Sequence, residues 1–312
     1  MSSFGMKVLF VYLLVVHVAI LVAQAQGCSD SGFCTMGALR PDQPFSARTK
    51  IKLHSIEITQ HLGTTKYGDW IHASFVDANF IVGKRNSFQL RAPAYMVIEG
   101  NMPTVRGWGD TYLSLTRQLY LNDYFQLNAT LGGKIYTTAT SIDNAMPMYQ
   151  QTTQGSNDLM IGVSLISKKW MIAVGYQRPL NATRNTFHPQ QFVATELEEA
   201  AGRYAPSVGL LRGDDMALRI EKNFRLARWN FFVGTLNLFR STPDQILDSE
   251  GKLQTVNGSQ GLSSNLLTGV GYQFNVQSGI RLLMAGKLTE RAQSPDGLSR
   301  DFVAQLAYVV RF

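Results

Sequence analysis

Charged residues recur at alternating positions of extended segments in this sequence, and their types and spacing could do chemistry. Alternate side chains of a strand share one face, so charges two residues apart line one surface. Two kinds of chemistry fit such a surface: a charged constriction that selects solutes, and an internal ion-pair network that satisfies buried charge. Both interpretations stay open. The candidates are Glu57, Asp77, Arg91, Glu99, Lys134, Arg219, Glu221, Arg281, Lys287 and Arg311.

Catalytic and metal chemistry have few candidates. The histidines after residue 25 are His54, His61, His72 and His188. His61 and His72 are expected to lie near each other across a first hairpin, but no Asp, Glu or Cys arrangement completes a triad or a metal site. Dinucleotide, Walker and EF-hand motifs are not present. The sequence predicts no catalytic residue, no metal and no cofactor, and hence a protein that is not an enzyme.

Two acidic groups are expected to be loop charges. They are Asp214-Asp215 and the cluster of Glu196, Glu198 and Glu199. Binding of Ca²⁺, or of cations that bridge lipopolysaccharide, is the alternative. The surrounding stretch 185–205 has helix-forming composition, so a short helix folded over a barrel mouth and a solvated loop are both open.

The first 25 residues have the pattern of a secretory signal peptide. Lys7 precedes an apolar run over 8–23, and Ala23-Gln24-Ala25 is a small-x-small cleavage site. Residues 1–25 are therefore predicted to direct export and to be removed.

The segment 26–48 is rich in Gly, Ser, Pro and Asp and is predicted to be irregular. It holds Cys28 and Cys34, the only cysteines in the chain. Because an exported chain enters an oxidising compartment, a Cys28–Cys34 disulfide is predicted. Lipidation of Cys28 is the alternative. A small plug and a flexible leader are both compatible with the segment.

The elements that must position the charges are strands. After residue 25 no apolar run approaches the ~20 residues of a spanning helix. From residue 49 onwards the chain divides into twelve alternating segments, among them 87–98 and 110–120, which are longer than ordinary globular strands of about 5–6 residues. Short connections alternate with long ones, including 139–157, 181–213 and 241–262. Short turns on one rim and long loops on the other are typical of a transmembrane barrel.

The fold class predicted for residues 49–312 is therefore all-β, a single antiparallel, up-and-down transmembrane β-barrel of about 12 strands, with the charged candidates facing its lumen. Aromatic residues near the strand ends, such as Trp70, Trp170 and Trp229, fit interfacial girdles. The net charge of +7 is mild for 312 residues and includes no basic run, so nucleic acid is excluded as a partner. A soluble β-sandwich is the alternative fold.

The last segment, DFVAQLAYVVRF at 301–312, sharpens this prediction. It alternates and stops on an aromatic residue, and it resembles the closing strand of bacterial outer-membrane β-barrels. The resemblance implies that Tyr308, Val310 and Phe312 form the signal read by the barrel-insertion machinery. It also implies pairing of this strand with the first, because an open edge cannot exist in hydrocarbon.

A second resemblance lies in Phe88–Leu115, which contains Gly107-Trp108-Gly109-Asp110. The stretch resembles outer-membrane transporter-like barrels of the phenol-degradation-pathway type, loosely grouped with fatty-acid and aromatic-hydrocarbon channels. The chain departs from the fatty-acid channels in its twelve predicted strands rather than fourteen, and in its short N-terminal segment.

The resemblance implies a Gram-negative outer-membrane channel for passive uptake of a small apolar or aromatic solute. Its expected partners are that solute, outer-membrane lipid and lipopolysaccharide. A non-conducting barrel that acts through its long loops is the alternative.

Overall fold

The computed structural model describes residues 51–136 and 145–312. The predicted signal peptide 1–25, the segment 26–48 and the predicted Cys28–Cys34 disulfide lie outside the described residues. Strands dominate the rest. They are β1 Lys52–Thr64, β2 Trp70–Val82, β3 Asn86–Arg91, β4 Tyr95–Glu99, β5 Val105–Trp108, β6 Thr111–Leu121, β7 Phe125–Ile135, β8 Asp158–Ser167, β9 Trp170–Pro179, β10 Asp215–Leu226, β11 Trp229–Arg240, β12 Gln245–Leu247, β13 Leu253–Thr255, β14 Gly261–Gln273, β15 Ser278–Thr289 and β16 Phe302–Arg311.

The main sheet closes on itself. The strands pair antiparallel around the barrel: β2 pairs with both β3 and β4, β3 pairs with β6, β4 pairs with β5, and β1 pairs with both β2 and β16. The short strands β12 and β13 form a separate hairpin within a loop. Since β3 and β4 are halves of one strand, as are β5 and β6, the barrel has twelve antiparallel strands in up-and-down order, as predicted.

The first divided strand breaks at 92–94, which includes Pro93, and the second breaks beside it at 109–110. Register between the two strands is kept across the break, with Arg91 opposite Tyr112 and Tyr95 opposite Trp108. The pairing with β2, however, changes at the break. Each residue of β4 is opposite a β2 residue one position later than the β2–β3 register would give. Proline has no N–H to donate to the ladder, and an extra residue at such a point makes a β-bulge. The fourth barrel strand also begins at Val105 rather than at 110, since Gly107 lies in β5 and Gly109 lies in the break between β5 and β6.

The two ends of the barrel differ as predicted. One end, called here the turn end, has connections at 83–85, 122–124, 168–169, 227–228 and 274–277. The other, the loop end, has connections at 65–69, 100–104, 136–157, 180–214, 241–260 and 290–301. A short helix, Glu198–Ala201, lies in the longest loop. No helix among the described residues is long and apolar enough to cross a membrane.

Inward and outward faces follow the alternation. Leu131, Ile161 and Val174 are about half exposed on the outside, whereas Thr130, Met160 and Ala173 are buried on the inside. Trp70 is exposed at the loop end, and Trp170 and Trp229 are exposed at the turn end. The outer surface is therefore an apolar band bounded by aromatic residues, which is the surface expected to face lipid.

Candidate functional site

The lumen wall formed by β6 to β9 carries small, hydroxyl-bearing side chains. The Thr116 and Thr130 hydroxyls are 2.6 Å apart, and the Asn128 amide donates to the Ser164 hydroxyl at 3.3 Å. Glycines and small residues complete this wall, with Gly162 directly opposite Gly175 in the ladder. Short side chains leave more of the barrel cross-section unfilled than the larger ones on the other walls.

Two apolar clusters line other parts of the inner wall. The first spans β9 to β16 and is built around Phe232, Leu236 and Leu267. The second lies on β2 and β4 and includes Phe75 and Met96. The Phe231-Phe232 pair, which sequence alternation alone can place in either register, has Phe231 outside and Phe232 inside. The inner wall is thus apolar in two places.

The predicted lumen charges are mostly inward and paired. Asp77 accepts two hydrogen bonds from Arg91, at 3.0 and 2.8 Å, and a third from Gln89 at 2.9 Å. Glu57 and Arg281 are 2.5 Å apart. Arg219 pairs with Glu221, and both are buried. Lys287 contacts Glu290 at 2.9 Å and Asp301 at 2.7 Å.

One row of directly opposed residues joins several of these charges. It runs through Glu57, Asp77, Arg91, Tyr112, Lys134 and Asp158, one residue from each of six neighbouring strands. Arg91 also lies 4.6 Å from the centroid of the Phe75 ring. The row holds three carboxylates and two cations, and Arg281 beside Glu57 supplies a third cation, so each charge has an opposite partner and the net field is small.

The prediction for Glu99 is wrong. Glu99 is exposed on the outer face, opposite Trp70. By simple alternation it shares a face with Arg91, but the one-residue shift at Pro93 exchanges inside and outside beyond that point. Arg311 lies on the same inward face of β16 as Val309 and is partly buried. Its Nη1 has no hydrogen-bond partner among the described residues.

Residues 146–154 fold inward at the loop end and are buried. Their anchor is Asp110, whose carboxylate accepts from the Thr153 hydroxyl and from the Gln154 N–H at 3.1 Å. The Thr152 hydroxyl donates to the Trp108 carbonyl at 3.1 Å. A Cβ at Gly107 would lie 3.0 Å from Thr152 Oγ1. The Gly-Trp-Gly-Asp element is therefore where the inward segment docks on the barrel wall.

Other loops pack on this segment. The Asp69 carboxylate accepts from Gln150 at 2.8 Å, Tyr204 at 2.7 Å and Thr65 at 2.7 Å. An apolar cluster containing Met146 and Phe187 lies beside them. Burial, together with the hydrogen bond to Asp69, raises the pKa of Tyr204, so the phenol stays neutral. We call this assembly of inward-folded loops the cap.

A buried ionic network fixes the cap to the strand ends. Arg240 makes two hydrogen bonds to Asp215, at 2.9 and 2.8 Å, and also contacts Asp244 and, at 2.8 Å, Asp296. Arg291 contacts Asp296 at 3.0 Å. All five side chains are nine-tenths or more buried.

A second set of buried charges adjoins the first. Lys134 lies 3.2 Å from Asp158 and 3.5 Å from Asp110, and Arg212 also contacts Asp158. Charges taken out of water require such partners, because an unpaired one would be strongly destabilising. The two sets together hold three loops against four strands.

Of these two sets, Lys134 alone was predicted from the sequence to face the lumen. Asp215, expected to be a loop charge, is buried in β10, and this expectation is wrong. Asp158, Asp215 and Arg240 lie on the inward alternation of their strands and could have been found by extending it. Arg212, Asp244, Arg291 and Asp296 lie in loops, where no alternation reports on their burial.

The two histidines lie near each other along the first hairpin, as expected, since His72 is opposite Leu62 and His61 is opposite Ala73, but their side chains point to opposite faces of the sheet. His61 is buried inside the barrel, whereas His72 is exposed outside and stacks on Trp70. His72 shares its face with Ser74, but the Ser74 hydroxyl donates to Gln60 at 2.9 Å rather than to the imidazole. The nucleophile-to-base contact of a serine hydrolase is therefore not formed here. No cluster of three His, Cys, Asp or Glu residues suited to a metal ion occurs in the described parts of the chain.

Comparison with solved structures settles the fold. An outer-membrane channel from Pseudomonas putida F1 superposes with a TM-score of 0.59 at 12% identity, covering 87% of this chain and 100% of that one. The fold is that of an outer-membrane β-barrel. The NanC porin is also similar, with a TM-score of 0.48 at 6% identity over 82% of this chain and 98% of that one. The monoaromatic hydrocarbon channel CymD has a TM-score of 0.44 at 10% identity over 94% of this chain and 98% of that one. The outer-membrane β-barrel fold agrees with the resemblance predicted from the sequence. No protein-family model and no curated sequence matches the chain.

Proposed function

We propose that this protein is an outer-membrane channel for passive uptake of a small apolar or aromatic solute. The turn end faces the periplasm and the loop end, with its cap, faces the cell exterior, as in barrels with short periplasmic turns. The solute passes along the inner wall between the two apolar clusters.

The observation that carries the proposal is the composition of the inner wall. The lumen charges Asp77, Arg91, Arg219 and Glu221 are paired with one another, so they attract ions weakly. The apolar clusters instead offer rings and thioethers, and such surfaces with few polar groups are typical of sites for apolar ligands. Phe232 is well placed for ring contact, since its ring lies over Gly269 on the next strand.

Passage requires the cap to move, and Asp110 is the side chain that ties it to the wall. Asp110→Asn removes the charge that accepts from Thr153 and pairs with Lys134. Hydrogen bonds to a charged group are about twice as strong as neutral ones, so the asparagine holds the segment less firmly. We expect the variant to open more often.

Single-channel recording in planar bilayers tests the proposal with the full chain. Asp110→Asn should raise the frequency of openings over wild type, whereas Asp248→Asn, at an exposed loop tip, should not. Phenol should block the open Asp110→Asn channel. Replacing Phe232 by Leu in that background should weaken the block about 2- to 10-fold, the range expected for losing a contact worth ~0.5–1.5 kcal/mol. Phe231→Leu, on the outer face, should leave it unchanged.

Lack of conductance in every variant would overturn the channel. Conductance without phenol block would overturn the solute class. If no variant conducts, the alternative is a barrel that acts through the surface of its loops. The cap offers such an ordered surface, packed around Tyr149 and Tyr204.

A further inference from the structure

The turn end is basic. Its turns and adjoining strand ends carry Lys84, Arg85, Lys168, Lys169, Lys222, Arg225 and Arg228. In the described turns of this end, Asp123 is the one carboxylate. None of these cations has a carboxylate within ion-pair distance in the described parts of the chain, in contrast to the paired charges of the cap.

Three of the cations are adjacent at the turn before β9 and on β10. Lys168 and Lys169 form the turn before β9, Lys222 is directly opposite Trp170, and the Asn223 N–H donates to the Lys169 carbonyl at 2.6 Å. Arg225 has the inward parity of Arg219 and Glu221 on β10 and is not part of this group. We call Lys168, Lys169 and Lys222 the basic patch.

Aromatic rings on the outer face flank the patch. The Lys222 ammonium lies 5.4 Å from the centroid of the Trp170 ring and 5.5 Å from that of Phe224. Trp170 and Phe224 are 46% and 47% exposed. Rings of this kind sit at the headgroup level of a bilayer, so the ammonium is held beside the membrane interface and not in the lumen. Exposed apolar residues, Ile172 and Val174, continue along β9 from this point.

We propose that the basic patch binds the phosphate of an anionic glycerophospholipid in the periplasmic leaflet. Clustered cations create a local positive potential that attracts an anion, and a lipid phosphate lies at this depth of the membrane. The acyl chains of the same lipid lie on Ile172 and Val174, which a soluble anion cannot use. The inference rests on the membrane orientation proposed above and is independent of conduction.

Native mass spectrometry of the full chain in detergent micelles tests it, with phosphatidylglycerol and phosphatidylcholine as probes. Wild type should retain phosphatidylglycerol about tenfold better than phosphatidylcholine. The triple variant Lys168→Gln, Lys169→Gln, Lys222→Gln should lose most of that preference. Lys222→Arg keeps the charge and should retain it. Lys84→Gln with Arg85→Gln, at another turn of the same end, is the matched control and should also retain it.

Two results would overturn the proposal. If the control variant loses the preference for phosphatidylglycerol as fully as the triple variant, the whole turn end attracts anions and the basic patch is not a specific binding site. If inorganic phosphate displaces phosphatidylglycerol completely at low concentration, the patch takes a soluble anion and not a lipid. Heat-modifiable migration on gels checks that each variant is folded, and unchanged openings in bilayers separate this result from the channel proposal.

Discussion

At the scale of single residues, glycines allow the cap to approach the wall and itself. Gly297 has φ +67°, and a Cβ built on it would lie 2.5 Å from the Met148 carbonyl carbon. This is the contact between two inward-folded loops. Gly251, at the tip of an exposed loop, has a similar φ of +76° with nothing within 4 Å. The two positions share a backbone conformation and differ in their surroundings.

Gly297→Ala should therefore loosen the cap, while Gly251→Ala should not. A left-handed backbone costs an alanine about 1–2 kcal/mol at either position, but at 297 the loop must also move to admit the methyl group. Arg300, buried in the cap, becomes a tryptic site when the cap opens. Cleavage after Arg300 should be several-fold faster in Gly297→Ala than in wild type or Gly251→Ala. Equal rates in the two variants would show that backbone strain alone, and not the contact with Met148, is responsible.

At the scale of elements, loops are joined to strands by charge. Burial, the largest influence on Asp296, opposes its ionisation, yet Arg291, Arg240 and Arg212 outweigh burial and hold its pKa well below the usual range. Asp244 shows the opposite balance. Burial raises its pKa, and nearby Asp296 adds to the effect, so that Arg240 and Arg291 offset it only partly. A proton taken up by this network therefore goes first to Asp244.

These directions give the cap a particular pH dependence. Because the closed cap binds a proton at Asp244 more tightly than the open one, mild acid, from pH 7 to about 5, should not weaken it. The contribution of Asp296 is present above the ordinary aspartate pKa of about 3.9 and is lost as the pH falls through its lower, closed-state pKa.

Hydrogen exchange of residues 292–300, corrected for the intrinsic pH dependence, measures this opening. Exchange should be unchanged or slower at pH 5 than at pH 7, and faster below about pH 4. In Asp296→Asn, residues 292–300 should exchange faster at pH 7 than in wild type, and lowering the pH below about 4 should raise their exchange rate less. Steadily faster exchange between pH 7 and pH 5 would contradict the assigned direction for Asp244.

Strands and loops also differ in what their sequences reveal. Alternation in β10 was enough to predict Arg219 and Glu221 as inward, because period two has a direct geometric meaning in a strand. It failed for Glu99, since one added residue near Pro93 reverses the faces beyond it. For Asp296 and Arg291 no local pattern exists. Their burial depends on contacts between distant loops, which only the closed barrel brings together.

At the scale of the whole molecule, closure depends on the last strand. β16 pairs with β1 over its whole length, from Thr64 opposite Phe302 to Ser55 opposite Arg311, and the Phe312 N–H donates to the His54 carbonyl at 2.9 Å. Twelve strands were predictable because each carries its own alternation and the connections alternate in length. The pairing of the first and last strands follows from the requirement that a membrane barrel has no open edge.

The aromatic terminus itself adds little to the folded barrel. The Phe312 side chain is 55% exposed and lies on the outer face, where Leu306 on the same strand is 48% exposed. If Phe312 is read by the insertion machinery, as the resemblance implies, Phe312→Ala should lower the folded fraction in isolated outer membranes several-fold, and Leu306→Ala should lower it little. Heat-modifiable migration on gels gives that fraction. The two purified variants should unfold at nearly the same denaturant concentration as each other, since each loses a similar lipid contact. A matching loss of assembly in Leu306→Ala would mean that lipid contact, and not recognition of the terminal ring, limits insertion.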